Sequence, residues 1–263
     1  MQQTVLITGG SGGIGLELAK LFAKDNYKVV LVARNEDGLA EAAAILQKDY
    51  NTEVITISKD LFLPESGFEL YTEISKKGIQ IDVLVNDAGQ GVYGLFTESD
   101  LQRQLDIIQL NISSLVVLTH CWLKEMVQRG HGKILNLSSI AGKIPGPWQA
   151  VYHGTKAFVQ SFTEAIRSEV KDHGVTITAL LPGVTDTDFF NKADMNASKQ
   201  VQDKDAMADP AEVAKDGYKA LMDGKDMVVS GFKNKLQVAM NAVTPDEMAA
   251  DQMNKMQEPE DKD

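Results

Sequence analysis

Short runs rich in β-branched residues alternate with longer segments of helical periodicity along most of the chain. The seven runs cover residues 5–8, 29–32, 54–57, 83–85, 134–137, 175–180 and 228–230. The apolar residues at helical spacing are Leu39, Ala43, Leu46 and Tyr50, and later Leu101, Leu105, Ile108 and Ile112. Strands that alternate with helices build a parallel sheet with helices on both faces. We therefore predict an α/β fold, a Rossmann-type, doubly wound, mainly parallel seven-stranded sheet, with both apolar stripes packed against it.

Length and charge narrow the classes of protein further. The 263 residues suffice for one dinucleotide-binding and catalytic domain over 1–232 and a helical extension over 233–263, whose acidic end from Gln257 we expect to be disordered. A formal net charge of -11 argues against a nucleic-acid partner.

The lone cysteine, Cys121, has no partner for a disulfide or a metal site, so no metal is expected. The amino terminus lacks a signal-peptide pattern and no apolar run reaches about 18 residues, which predicts a cytoplasmic protein without a membrane span.

Polar residues follow the predicted strands at a regular interval. Thr8, Arg34, Asp60 and Asn86 are each 26 residues apart, and Ser138 comes 52 residues later. In an open α/β sheet, ligands bind outside the carboxyl ends of the strands. The sequence therefore predicts that these side chains converge on one ligand-binding edge.

The first strand runs into a glycine-rich turn, residues 8–16, with the sequence Thr-Gly-Gly-Ser-Gly-Gly-Ile-Gly-Leu. Glycine lets the backbone approach a pyrophosphate closely, and the following helix offers unpaired N–H groups to the anion. At the end of the second strand, neutral Ala33 stands where a ribose-binding acid is often found, and Arg34 can pair with a 2'-phosphate. NADP (NADPH) is therefore favoured, while Glu36 and Asp37 keep NAD open.

Tyr152 and Lys156 stand four residues apart, downstream of the serine pair Ser138 and Ser139. On a helix, positions i and i+4 share a face, so the Lys156 ammonium can lower the pKa of the Tyr152 phenol toward the range useful for proton transfer. The same spacing also occurs on many solvated helices.

Together these residues resemble the short-chain dehydrogenase/reductase family, of the compact single-domain type, from residue 4 to about 232. The pieces that match are Thr8-Gly-x-x-x-Gly13-x-Gly15, Asp60-Leu61, Asn86-x-Ala88-Gly89, Asn111, Ser138-Ser139, Tyr152-x-x-x-Lys156, and Pro182-Gly183 followed by Thr187. The resemblance implies an oxidoreductase that interconverts a carbonyl and an alcohol by hydride transfer.

The resemblance also implies a role for each catalytic residue. Tyr152 would be the general acid in reduction and the base in oxidation. Lys156 would lower the pKa of Tyr152 and position the nicotinamide ribose, and Ser139 would stabilise the substrate oxygen. Asn111 would extend a proton relay toward the lysine; taken alone, an asparagine at this position more often marks a helix irregularity.

The implied cofactor site combines the glycine turn with later strand ends. Its residues are Thr8, Gly9, Ser11, Gly12, Gly13, Ile14, Gly15, Arg34, Asp60, Leu61, Asn86, Ala88, Gly89, Tyr152, Lys156, Pro182, Gly183, Val184 and Thr187. The chain departs from the family at Asp87, which replaces the second asparagine of Asn-Asn-Ala-Gly. A carboxylate can accept a hydrogen bond there but cannot donate as an amide does.

Apolar and aromatic residues within 90–96 and 140–148, and from Phe189 onward, predict a fairly hydrophobic small-molecule carbonyl or alcohol substrate. The polar segment 191–208 is expected to be a lid, or else a mobile surface loop. Residues 235–243 and a capping box at 244–247 predict two short tail helices, packed over the cleft or on a neighbour. The resemblance implies a homodimer or homotetramer.

Two other classes share parts of this pattern. A non-catalytic NAD(P)-sensing regulatory protein would bind the dinucleotide without turnover, but it has no need of Ser139, Tyr152 and Lys156 together. Nucleotide-sugar epimerases and dehydratases share Tyr-x-x-x-Lys, but they usually have a different glycine spacing and a larger carboxyl-terminal domain.

Overall fold

The computed structural model describes residues 2–202 and 207–259 of the chain. Seven parallel strands form one sheet in the order β3-β2-β1-β4-β5-β6-β7. The strands are β1 Thr4–Thr8, β2 Lys28–Ala33, β3 Val54–Ser58, β4 Val83–Asn86, β5 Gly132–Leu137, β6 Val175–Leu181 and β7 Met227–Val229. The predicted fold class and all seven predicted strands are confirmed.

Helices connect the strands and cover both faces of the sheet. They are α1 Gly13–Lys24, α2 Glu36–Tyr50, α3 Ser66–Lys76, α4 Leu101–Ile108, α5 Leu115–Arg129, α6 Ala150–Val170, α7 Phe189–Lys192, α8 Pro210–Met222, α9 Phe232–Asn241 and α10 Asp246–Gln257. A π-helical segment, Gln109–Ser114, joins α4 to α5, and 3-10 turns lie at Ile140–Lys143 and Lys199–Val201.

The strand order reverses at β1, which pairs with β2 on one side and β4 on the other. Thr8 is in register with Asn86, and Asn86 with Asn136, so these strands end at one level. A crevice forms where the order reverses, because the connections leave β1 and β4 in opposite directions. The regular spacing of polar residues in the sequence reflects this common edge.

Two apolar cores fill the two faces of the sheet. One contains Leu18, Phe22 and Leu39 from α1 and α2, and the other contains Trp122 and Met126 from α5. Burying side chains of this size contributes roughly 1.5–3 kcal/mol each. The predicted sheet-facing stripe of α2 is confirmed by its buried residues Leu39, Ala43 and Leu46 and by the partly buried Tyr50.

The stripe predicted on α4 does not face the sheet, and that prediction is wrong. Leu101 is 62% exposed and Leu105 is 49% exposed, whereas Ile107 and Leu110 are buried. Leu101 and Leu105 lie in the regular helix α4, before the π-helical segment begins at Gln109, and the buried residues of α4 are Gln104 and Ile107. The helical spacing therefore identifies an apolar stripe but does not show whether that stripe faces the sheet or the solvent.

The stretch Leu101–Arg129 is, among the residues that the structure describes, the one helix long and apolar enough to cross a membrane by length and composition alone. Within the most apolar 18 residues of this stretch, 44% of the segment is buried inside the fold. Trp122 and Met126 of this stretch belong to a core, as in the central helix of a globular domain.

Two tail helices, α9 and α10, follow the last strand, as predicted. The predicted capping box is wrong: the residue before α10 is Pro245, which has no capping side chain, and the Thr244 hydroxyl donates to the Met240 carbonyl at the end of α9. The expected disorder from Gln257 is also wrong at its first residue, because Gln257 is buried and ends α10. Residues 260–263 lie outside the described part of the chain.

Candidate active site

A cavity of about 860 Å³ opens at the carboxyl ends of the strands, at the point where the strand order reverses. Most of the residues predicted for the site line it. They are Gly9, Ser11, Gly12, Gly13, Ile14, Arg34, Asp60, Leu61, Ala88, Gly89, Ser139, Tyr152, Lys156, Pro182, Gly183, Val184 and Thr187. The four that do not line it are Thr8, Gly15, Asn86 and Asn111.

The glycine turn presents bare backbone to the cavity. Gly9 and Gly13 have φ values of 76° and 54°, in the left-handed region that favours glycine. A Cβ added to Gly12 would meet nothing within 4 Å, so this position is open to the cavity. Gly12 precedes α1 without a capping side chain, which leaves the first N–H groups of the helix available to an anion. The turn fits the pyrophosphate of a dinucleotide.

Two cations lie at the end of the cavity beyond β2 and β3. The Arg34 guanidinium is half-exposed, lies 4.0 Å from Asp60 Oδ1 and stacks over the Phe62 ring at 4.7 Å. Lys59 also lines this end, although its ammonium lies 3.2 Å from Glu69. This arrangement fits a phosphate on an adenosine ribose, because a guanidinium binds phosphate through two parallel N–H groups.

Asp87 is buried directly under the glycine turn. A Cβ on Gly9 or Gly15 would come within 2.8 or 2.6 Å of its Oδ2, so only glycine fits at both positions. Its Oδ1 has no hydrogen-bond partner. Burial raises the pKa of Asp87 to about 7, against the opposing effects of the Lys156 ammonium and a hydrogen bond from the Gly15 N–H. A protonated Asp87 can donate, as the asparagine more usual at this position does.

Asn86, Thr8 and Gly15 lie behind the wall of the cavity. The Asn86 amide donates to Thr119 Oγ1 at 3.0 Å and to Asn136 Oδ1 at 2.9 Å, which ties β4 to β5 and α5. The Thr8 hydroxyl accepts from the Ala88 N–H at 3.1 Å. These residues do not line the cavity but shape the backbone beside it, and their predicted part in cofactor binding stays a prediction.

Tyr152 lies on α6 at the centre of the cavity, beside Ser139. Burial raises the pKa of Tyr152 to about 12, and a hydrogen bond with Ser139 acts in the opposite direction. The Ser139 hydroxyl also accepts from the Ala141 N–H at 3.1 Å and faces the Pro182 carbonyl at 3.3 Å. Ser138 also lines the cavity, but its hydroxyl is engaged by the fold, because it donates to the Lys156 carbonyl at 2.8 Å.

Lys156 is buried one turn along α6 from Tyr152. Its Nζ donates to the Leu137 carbonyl at 2.9 Å and lies 5.7 Å from the centroid of the Tyr152 ring. Burial lowers the pKa of Lys156 to about 8, with Asp87 acting in the opposite direction. The ammonium lies by the Tyr152 ring, and burial is the main effect on the pKa of the phenol, so the predicted lowering of that pKa by Lys156 stays a prediction.

Asn111 lies in the π-helical segment and braces the loop after β4. Its amide donates to the Gln90 carbonyl at 2.9 Å and to Thr155 Oγ1 at 3.0 Å, and its Oδ1 accepts from the Gln90 N–H. A Cβ on Gly89 would lie 3.3 Å from Lys156 Nζ and 3.4 Å from Asn111 Oδ1, so the two side chains adjoin. The predicted proton relay stays a prediction.

The loop after β6 closes the cavity from the other side. A Cβ on Gly13 would lie 3.1 Å from Thr187 Cγ2, so this loop faces the glycine turn across a narrow gap. Phe189 follows, with its ring 5.2 Å from that of Tyr152. Asn234 of α9 lies against Gly183 and holds the first tail helix over the loop.

Sequence reasoning missed several residues that line the substrate side. They are Gln149, Gln237, Asn241, Met253 and Gln257. Met253 and Gln257 share one face of α10, and this spacing is the one signal that could have marked them. Tyr93 and Trp148, which were expected to form the wall, instead stack on each other at 5.6 Å; the Tyr93 hydroxyl donates to the Gln257 carbonyl.

The predicted lid, residues 191–208, lies partly outside the described residues, at 203–206. Its described part forms a small apolar cluster around the buried Ala193, Met195 and Val201. The Lys199 ammonium lies 2.7 Å from Glu258, so the end of the tail holds this segment in place. Whether the segment moves with ligand stays a prediction.

Comparison with known proteins identifies a family, relatives and solved structures to which this chain is similar. Residues 3–198 match the short chain dehydrogenase family. An uncharacterized oxidoreductase from Staphylococcus saprophyticus is 33% identical over 77% of this chain and 87% of its own length. The very-long-chain 3-oxoacyl-CoA reductase of Rattus norvegicus is 36% identical over 67% of this chain, which spans 57% of that protein. A short-chain dehydrogenase from Sphingobium yanoikuyae, solved in complex with NADPH, is 26% identical with a TM-score of 0.81, over 95% of this chain and 98% of that one.

Proposed function

Because the chain belongs to the short chain dehydrogenase family, we propose that it is an NADP(H)-dependent oxidoreductase that reduces a carbonyl to an alcohol. The observation that carries the proposal is the buried pair of hydroxyls, Ser139 and Tyr152, at the centre of the cavity, with Lys156 one turn away. A protein that only senses a dinucleotide has no need of this arrangement.

When bound in this cavity, a nicotinamide cofactor would supply the hydride to the carbonyl carbon. Tyr152 donates its proton to the carbonyl oxygen. Burial holds the pKa of Tyr152 at about 12, so the phenol is protonated at neutral pH, as an acid catalyst must be.

Ser139 and Lys156 support this proton transfer. The Ser139 hydroxyl contacts Tyr152 and is placed to donate to the same substrate oxygen, where negative charge develops. Lys156 lines the cavity next to Gly89, where its Nζ can bind the nicotinamide ribose and so locate the hydride donor. Leu137 fixes the direction of the ammonium through its carbonyl.

The preference for NADP rests on Arg34 and Lys59 at the adenosine end of the cavity. A 2'-phosphate adds two negative charges that a guanidinium binds well, whereas NAD offers a neutral hydroxyl. The Sphingobium yanoikuyae relative, bound to NADPH, agrees with this assignment.

The substrate side of the cavity favours a fairly hydrophobic molecule. Its walls include Ile144, Phe189, Phe190, Met195 and Met253. Similarity to a very-long-chain 3-oxoacyl-CoA reductase is consistent with an apolar chain on the substrate, although this chain spans only about half of that protein.

We also propose that the chain forms a homo-oligomer through α4 and α6. The exposed Leu101, Leu105 and Ile108 form an apolar stripe on α4, and the stacked rings of Phe158 and Phe162 lie on α6. Such a contiguous apolar surface is typical of an interface.

Activity can be tested on a panel of ketones, aldehydes and alcohols, with NADPH, NADH and their oxidised forms. The absorbance of the reduced nicotinamide reports turnover. We expect consumption of NADPH with at least one hydrophobic carbonyl and weaker activity with NADH. Tight NADPH binding without turnover across the panel would instead support a sensor.

A further inference from the structure

Gln149 carries a side chain that the fold itself does not use. It is the residue before α6, yet its side chain makes no capping hydrogen bond to that helix. Its backbone is fully engaged: its N–H donates to the Gly146 carbonyl at 3.1 Å, and its carbonyl accepts from the His153 N–H at 3.0 Å. The residue is only 4% exposed, and its Nε2 has no hydrogen-bond partner.

The direction of Gln149 is set by Trp148, the residue before it. Trp148 has a φ of 68°, an unfavourable value for a bulky side chain, and such strain persists only where surrounding contacts impose it. Three contacts do so: the ring stacks on Tyr93, the indole N–H donates to Asn254 at 2.9 Å, and the carbonyl accepts from the Gly94 N–H at 2.9 Å. The backbone therefore enters α6 at an angle that turns Gln149 into the cavity.

The Gln149 amide lies close to the group that transfers the proton. A Cβ added to Gly91 would lie 3.2 Å from Gln149 Nε2, 3.5 Å from Tyr152 Cδ2 and 2.9 Å from Phe189 Cζ. Gln149 precedes α6 and Tyr152 lies in its first turn, and both side chains line the same cavity around Gly91. An oxygen bound by Gln149 would thus lie only a few bonds from an oxygen protonated by Tyr152.

We propose that the Gln149 amide donates a hydrogen bond to a second oxygen of the substrate, close to the carbonyl that is reduced. A buried, unpaired N–H group is unfavourable and is normally matched by a partner. Ser139 and Tyr152 serve the reacting oxygen, so Gln149 is available for another acceptor. The substrate class is therefore a carbonyl compound with a second carbonyl or ester oxygen nearby, such as a 3-oxo ester or 3-oxo thioester. This inference rests on the proposed function.

A matched pair of ketones tests the role of Gln149. Ethyl 3-oxohexanoate and 4-nonanone have the same chain length, but only the ester offers a second oxygen. With NADPH, Gln149→Leu should lower kcat/KM for the ester about tenfold, the effect of one hydrogen bond, and change kcat/KM for 4-nonanone less than about twofold. Gln149→Glu, which keeps the shape but cannot donate when ionised, should also lose activity on the ester.

Two further measurements separate binding from a structural role. Gln149→Leu removes an unpaired donor, so its melting temperature should not fall below that of the wild type. Gln47→Leu, at an exposed position on α2, is the matched control, and it should leave kcat/KM unchanged for both ketones.

If Gln149→Leu lowers kcat/KM equally for both ketones, or does not lower it for the ester, the inference about Gln149 is overturned. Turnover of 4-nonanone would still leave the proposed function intact. A wild-type protein that reduces neither ketone nor any other carbonyl would overturn both.

Discussion

Replacing Asp87 with asparagine perturbs the buried carboxyl under the glycine turn. Burial raises the pKa of Asp87 from 3.8 to about 7, even though the Lys156 ammonium and the Gly15 N–H act in the opposite direction. The folded protein therefore binds this proton more tightly than the unfolded chain does. The resulting stability is fully present below about pH 4 and is lost as the pH rises through about 7.

The size of the effect follows from the pKa difference. About three pH units, at about 1.4 kcal/mol each, correspond to roughly 4 kcal/mol of unfolding free energy. Asparagine does not ionise in this range, and its amide can still accept from the Gly15 N–H. The free energy of unfolding of Asp87→Asn, relative to the wild type, should therefore increase by up to about 4 kcal/mol between about pH 4 and about pH 8.

Other titrating groups in the cavity do not obscure this difference. Burial lowers the pKa of His153, so its effect has the opposite sign, and it is present in both proteins. Burial lowers the pKa of Lys156 to about 8, near the upper end of the range. Asparagine also removes the carboxylate that raises the pKa of Lys156, so the difference between the two proteins reports Asp87 together with this effect on Lys156, and both make the difference grow as the pH rises.

Urea unfolding at several pH values, followed by tryptophan fluorescence, measures the free energy directly. The control is Asp172→Asn, which removes an exposed carboxyl and should follow the wild-type pH dependence. If the difference between Asp87→Asn and the wild type stays constant from about pH 5 to about pH 8, the reasoning about the buried carboxyl is refuted.

Two further substitutions test the cofactor preference and the oligomer. Arg34→Ala should lower kcat/KM for NADPH about tenfold or more, because a charge-assisted hydrogen bond to the 2'-phosphate is lost. The value of kcat/KM for NADH should change little. An equal effect on both cofactors would contradict the role of Arg34. Leu105→Lys places a charge on the exposed stripe of α4 and should shift sedimentation toward the monomer, and an unchanged sedimentation profile would place the interface elsewhere.

The sheet was predictable because strand and helix periodicities differ and recur regularly through the chain. The same pattern placed Arg34, Asp60 and Ser138 at one edge, since the carboxyl ends of parallel strands share that edge. The residues Leu101 and Leu105 were placed wrongly because helical spacing identifies an apolar stripe without showing whether it meets the sheet or the solvent.

The direction and burial of individual side chains could not be predicted from the sequence. Asn86 follows its strand at the right level, but whether its amide faces the cavity or the neighbouring strand depends on Asn136 and Thr119. The high pKa of Tyr152 arises from burial, which depends on the packing of Phe189 and the tail. Gln149 could not be recognised because its direction depends on contacts between distant segments.

Replacement of Tyr152 with phenylalanine tests the central claim most directly. The change removes one hydroxyl and keeps the ring against Phe189, so the fold and NADPH binding should be preserved. With a carbonyl substrate that the wild type reduces, kcat for NADPH consumption should fall by at least about 100-fold, the usual contribution of a general acid. Wild-type turnover in Tyr152→Phe, with NADPH still bound, would show that another group protonates the substrate and would contradict the mechanism.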